Sequence, residues 1–164
     1  FCPGAEFGPA KRWPHYHYAE LAKQLIDEGY QVVLFGSAKD HEAGNEILAA
    51  LNTEQQAWCR NLAGETQLDQ AVILIAACKA IVTNDSGLMH VAAALNRPLV
   101  ALYGPSSPDF TPPLSHKARV IRLITGYHKV RKGDAAEGYH QSLIDITPQR
   151  VLEELNALLL QEEV

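Results

Sequence analysis

Three short and nearly continuous apolar runs, at residues 32–35, 80–83 and 98–103, most restrict what this chain can fold into. A strand with one face in water alternates apolar and polar residues, whereas one covered on both faces does not, so such runs predict buried parallel strands. The segments between them carry helical spacing. Tyr18, Leu21, Ala22, Leu25 and Ile26 follow Pro14 on one face and stop at Gly29. Asp40 is placed to cap a helix bearing Ala43, Ile47, Leu48 and Leu51, and residues 58–62 suit a short edge strand. Thr66 stands three residues before Asp69, the spacing of a capping box, ahead of Leu68, Val72, Ile75 and Ala76. Residues 87–95 read as a helix and 120–124 as a strand. Thr147-Pro148 opens a last helix whose Val151, Leu152, Leu155, Leu158 and Leu159 form one stripe. Strands alternating with helices at these lengths predict right-handed β-α-β units and a Rossmann-like, doubly wound parallel sheet.

With 164 residues the chain is expected to form one domain. Phe1-Cys2-Pro3-Gly4 reads as the end of a strand begun upstream, so the chain is expected to be a piece of a longer protein. A net charge of -5 gives none of the basic footprint of a nucleic-acid binder. Cys2, Cys59 and Cys78 are odd in number and lack C-x-x-C spacing, which suits reduced cytosolic thiols rather than a disulfide framework or zinc site. No segment has the length and apolarity of a membrane span or signal peptide.

Ligands of such sheets bind at the carboxyl ends of the strands, so loops 4–12, 36–42, 63–67, 84–90 and 104–108 should converge. Asp85-Ser86-Gly87 lies where a strand hands over to a helix, and free backbone N–H groups there suit a diphosphate. Gly87 admits close approach, Ser86 can donate, and His90 is one turn further on. Taken alone, the run fits a helix cap at Asp85 and a core histidine at His90 better than a ligand site. Lys11 is a candidate phosphate clamp in a glycine-containing loop, and Arg12 beside it either forks onto two oxygens or lies on the surface. Neither G-x-G-x-x-G nor a P-loop is present. His15 and His17, two apart on a helix, diverge and suit structural roles rather than a metal. Asp40, His41 and Glu42 open a helix near the expected crevice, where a carboxylate either binds ribose or complements the helix dipole. The basic stretch 126–133 fits a solvated loop better than a contact with acceptor phosphates at a membrane surface.

Pro3-Gly4-Ala5 with Lys11-Arg12-Trp13-Pro14, Leu34-Phe35-Gly36-Ser37, the run from Asn84 to His90, and Leu102-Tyr103-Gly104-Pro105 together resemble the bacterial lipopolysaccharide heptosyltransferases. The resemblance covers essentially the whole chain, and the four motifs in this order are far more specific than any one. It implies a two-domain GT-B glycosyltransferase, of which residues 1–164 are the carboxy-terminal ADP-heptose-binding domain without the amino-terminal acceptor domain. By that resemblance Lys11, Ser86, Gly87 and His90 would hold the diphosphate. Asp85 would contact the heptose, Asp40 or Glu42 the ribose, and Thr66 the adenine side. The reaction implied is inverting transfer of heptose from ADP to the lipopolysaccharide inner core, at the cytoplasmic face of the inner membrane of a Gram-negative bacterium. No D-x-D metal motif is present and no cofactor is called for, so Lys11 and the Ser86-Gly87 helix terminus would stabilise the leaving diphosphate. The general base would lie on the other domain, so this chain alone should bind donor without turnover. A non-catalytic nucleotide-binding module and a nucleotide-sugar epimerase domain are the alternatives. The last helix is expected to expose part of its leucine stripe toward the missing domain.

Overall fold

The structure is a computed structural model that describes residues 1–6, 8–126 and 132–162. Helix α1 (His15–Asp27) follows a 3-10 turn at Pro9–Lys11 and buries Tyr18, Leu21, Ala22, Leu25 and Ile26. It stops where expected: Gly29 adopts φ 93, and Tyr30 N–H returns to the Leu25 carbonyl at 3.0 Å. Strand β1 (Val32–Leu34) leads through a 3-10 turn at Ala38–Asp40 into α2 (His41–Ala49), then α3 (Thr53–Gln56) and β2 (Cys59–Asn61). There follow α4 (Leu68–Ala76), β3 (Ile81–Asn84), α5 (Gly87–Ala94), β4 (Leu99–Tyr103) and β5 (Ala118–Arg122), and finally α6 (Gln141–Ile144) and α7 (Pro148–Glu162).

β1 pairs parallel with β2, and β3, β4 and β5 pair parallel in that order. The segment Phe1–Cys2 joins the two ladders. The Phe1 backbone nitrogen donates to the Val33 carbonyl at 2.7 Å, and Phe35 N–H donates to the Phe1 carbonyl at 2.9 Å. On its other side Cys2 N–H donates to Val82 O at 2.9 Å, and Asn84 N–H donates to Cys2 O at 3.3 Å. The sheet therefore runs β2, β1, Phe1–Cys2, β3, β4, β5, and the direction of winding reverses between Phe1–Cys2 and β3.

Neighbouring residues of each strand enter different cores, which is why the apolar runs do not alternate. Val82, Val100, Leu102 and Ile121 pack with Leu21 and Leu25 of α1 and Val151 and Leu155 of α7. Ile81, Leu99, Ala101 and Tyr103 pack with Ala71 and Ile75 of α4 and Met89 and Ala92 of α5. The doubly wound sheet is thus the observed architecture.

Four local expectations are corrected. The capping box of α4 is formed by Gln67 and Gln70 rather than Thr66 and Asp69, because Gln67 carries the extended φ/ψ of a cap. Asp40 does not cap α2 with its side chain; it closes a capping box with Ser37 around the preceding 3-10 turn. The strand expected at 120–124 is displaced to Ala118–Arg122, where the partner β4 is available, and Leu123 beyond it is exposed. The stripe of α7 is not left open: Val151, Leu152, Leu155, Leu158 and Leu159 are all buried in the chain's own core, each a gain of roughly 1.5–3 kcal/mol. Leu160 alone on that helix is a large exposed apolar residue.

Candidate functional site

The reversal of winding leaves a crevice at the carboxyl ends of Phe1–Cys2 and β3, and Asn84 organises it. This side chain is fully buried at the last position of β3. Its Oδ1 accepts from Trp13 N–H at 3.0 Å and from the Tyr18 hydroxyl at 2.8 Å, and its Nδ2 donates to the Pro3 carbonyl at 2.7 Å. Burial raises the Tyr18 pKa well above the ordinary phenol value, which keeps the hydroxyl proton in that bond. Trp13 Nε1 donates in turn to the Ile146 carbonyl at 2.8 Å. One strand-end amide therefore fixes both ends of the loop carrying Lys11 and Arg12.

A cavity of about 570 Å³ occupies the crevice. Gly4, Ala5, Glu6, Gly8 and Arg12 form one wall, Gly36, Ser37, Lys39 and Asp40 a second, and Thr66, Gln67, Leu68, Ser86 and Gly87 the rest. Gly87 is the first residue of α5. Ser86 caps the helix by backbone conformation only, with no side-chain cap bond, and a Cβ placed on Gly87 would meet nothing within 4 Å. The amide end of the helix thus opens onto the cavity, with the polarity that favours an anion. Gly4 and Gly36 are glycines for a steric reason: a Cβ on either would overlap the Asp40 side chain.

The carboxylate of Asp40 is already engaged. Its Oδ2 accepts from Ser37 N–H at 2.9 Å and from Ser37 Oγ at 3.1 Å, while Arg12 Nη2 lies 3.6 Å from Oδ1. Thr66, Asp40, Ser86 and Gly87 of the sequence-predicted set therefore share one cavity. Lys11 sits half-buried in the 3-10 turn behind Arg12, outside the lining. Asp85 is half-buried beside the crevice and accepts from Thr111 Oγ1 at 3.0 Å, which ties down the loop after β4. His90 is exposed on α5 outside the lining, so a core histidine it is not. Glu42 lines an adjoining cavity with Arg12, His15, Lys39, Glu46, Glu137 and Tyr139. Residues 127–131 of the basic stretch lie outside the described residues.

Sequence reasoning missed the stapling role of Asn84 and did not decide for Arg12 between phosphate oxygens and the surface. The signal for the first was present: an amide ending a buried apolar run must find partners in the interior. For the second there was none, since a loop arginine is ordinarily a solvated charge. His15 and His17 do hold structure, as expected: His15 Nδ1 lies 2.6 Å from the Tyr139 hydroxyl and His17 Nε2 lies 2.7 Å from the Ile144 carbonyl. Among the described residues no cluster of three or more His, Cys, Asp or Glu is placed to hold a metal. The three cysteines are free, and burial raises all three thiols, Cys59 to about 11, so none is a ready nucleophile. No helix among the described residues is long and apolar enough to cross a membrane.

Comparison with known proteins fits this geometry. The sequence pattern of glycosyltransferase family 9 (heptosyltransferase) matches residues 1–140. Lipopolysaccharide heptosyltransferase 2 of Salmonella typhimurium is 93% identical over 164 residues, which is 100% of this chain and 47% of that protein. The structure of E. coli ADP-heptose lps heptosyltransferase II superposes with TM-score 0.92 at 93% identity, covering 100% of this chain and 46% of the other. A family 9 glycosyl transferase from Veillonella parvula superposes with TM-score 0.82 at 32% identity, over 96% of this chain and 44% of its own. The chain thus spans about half the length of the relatives it matches. A parallel sheet with its crevice at the reversal of winding, and a family pattern running through every wall of that crevice, lead to one conclusion: the chain belongs to glycosyltransferase family 9, the heptosyltransferases.

Proposed function

We propose that residues 1–164 are the donor-binding domain of a two-domain, inverting heptosyltransferase, and that ADP-heptose lies across the crevice. The observation that carries this reading is the uncapped amide end of α5 opening through Gly87 onto a cavity at the reversal of winding. The names of the relatives supply the ligand class, and the shape and polarity of the crevice suit it. In this reading Ser86 and Gly87 serve the diphosphate from the cavity wall, joined by Lys11 and His90 from outside the lining, with Asp85 at the heptose and Thr66 at the adenine side. Of the two ribose candidates Asp40 faces the cavity and Glu42 faces the adjoining one, which favours Asp40, with Ser37 holding its carboxylate in place.

The hard step is departure of ADP from the anomeric carbon. Lys11 and the amide end of α5 lower it by stabilising charge that grows on the diphosphate. The hydroxyl that attacks belongs to the inner core of lipopolysaccharide. The base that deprotonates it lies on the other half of the protein, which works at the cytoplasmic face of the inner membrane.

Titration calorimetry of this chain with ADP-heptose, ADP and UDP tests the reading. ADP-heptose is expected to bind more tightly than ADP, and UDP more weakly than both. Lys11→Ala should weaken ADP-heptose by roughly 10-fold or more, as expected for loss of a charged contact. Unchanged affinity in that variant, or no preference for the sugar nucleotide, overturns it.

A further inference from the structure

Arg12 belongs to the walls of both cavities, and the roles assigned so far leave its guanidinium unused. The backbone that carries it is fixed: Arg12 N–H donates to the Pro9 carbonyl at 3.0 Å, and the next residue, Trp13, is tied to Asn84. The guanidinium itself is under-satisfied. Nη2 stands 3.6 Å from Asp40 Oδ1, an ion pair longer than a hydrogen bond, and Nε is buried with no hydrogen-bond partner among the described residues. Asp40 is held from its other oxygen by both donors of Ser37. The carboxylate thus supplies a compensating charge without saturating the fork.

A buried N–H without an acceptor is costly, and a guanidinium presents five donors in a plane that matches two phosphate oxygens. An arginine in this state, lining the same cavity as a helix amide terminus, is arranged to share an anion with it. We propose that Arg12 is a diphosphate-binding residue of the crevice, with Asp40 as its counter-ion, and that it forks onto phosphate oxygens when the nucleotide is bound. This rests on the donor-site reading above. It also gives Asp40 a second duty, since without that carboxylate an unliganded arginine would be an uncompensated charge in a half-buried position.

The test separates phosphate contact from upkeep of the fold by the ligand used. ADP is titrated by calorimetry and adenosine by ligand-observed NMR against the unmodified chain, Arg12→Gln and Arg12→Lys. Arg12→Gln should weaken ADP by roughly 10- to 100-fold and leave adenosine within about twofold, because only ADP carries the oxygens. Arg12→Lys should fall between, since a point charge replaces the fork. If Arg12→Gln does not fold, the Arg12→Lys comparison of ADP with adenosine decides by the same criterion. Equal weakening of both ligands makes Arg12 a structural residue and overturns the proposal, as does unchanged ADP affinity. Failure of the unmodified chain to bind ADP overturns the donor-site reading and this proposal with it, whereas ADP binding that ignores Arg12 overturns this proposal alone.

Discussion

At the carboxyl end of β2 stands Asn61 and at the carboxyl end of β3 stands Asn84, both strand-end amides turned into the interior. Asn61 is 9% exposed and serves its neighbourhood: it donates to the His41 carbonyl and to Asn45 Oδ1, and accepts from Ala63 N–H. All its partners lie within 20 residues. Asn84 is fully buried, and its partners Trp13, Tyr18 and Pro3 are 71, 66 and 81 residues away. A local staple costs little loop-closure entropy, whereas a distant one is made only when the sheet has assembled. The same residue type therefore secures a helix start at one edge of the sheet and the whole binding loop at its centre.

Removal of the two amides measures that difference. Asn84→Ala leaves Trp13 N–H, the Tyr18 hydroxyl and the Pro3 carbonyl buried without their partner, and should cost on the order of 3–5 kcal/mol in urea unfolding. ADP affinity should fall with it as the Pro3–Trp13 loop loosens. Asn61→Ala should cost about 1–2 kcal/mol, because two of its three partners, His41 and Asn45, belong to exposed residues where water can replace the amide. Equal losses in the two variants would dissolve the distinction between local and central staple.

A smaller effect sharpens the same contrast through pH. His17 stacks on Trp13 and its Nε2 meets the Ile144 carbonyl, and burial lowers its pKa from 6.5, only partly offset by that hydrogen bond. A histidine whose folded pKa lies below its unfolded one contributes stability that is present above pH 6.5 and lost as pH falls through the folded value. The melting temperature of the native chain should therefore drop on acidification from about pH 7 to about pH 5, and His17→Gln should drop less. Parallel pH profiles for the two proteins would show that His17 does not titrate against the fold.

Much of this was readable in advance. The apolar runs specified strands covered on both faces, and the stripe of α1 specified one of the helices that cover them, whereas the stripe of α7 was expected to face elsewhere. The Thr83-to-His90 motif marked the crevice because a strand-to-helix handover leaves amide groups exposed whatever the rest of the chain does. Errors clustered where local signals were nearly degenerate, as at Thr66 and Gln67, either of which can cap a helix one residue apart, and at β5, an edge strand whose limits depend on its single partner.

What the sequence by itself determined, then, was the kind of sheet, the position of its ligand edge and the family to which the residues conform, since periodicity and short motifs are local properties. Tertiary structure decided which side chains stand in the wall. It turned Glu42 toward a different cavity, left His90 outside the lining, engaged Asp40 with Ser37 and Arg12, and brought Arg12 across the chain from the Ser86-Gly87 terminus. Those outcomes depend on contacts between residues tens of positions apart, whose geometry exists only once both cores have closed on the sheet.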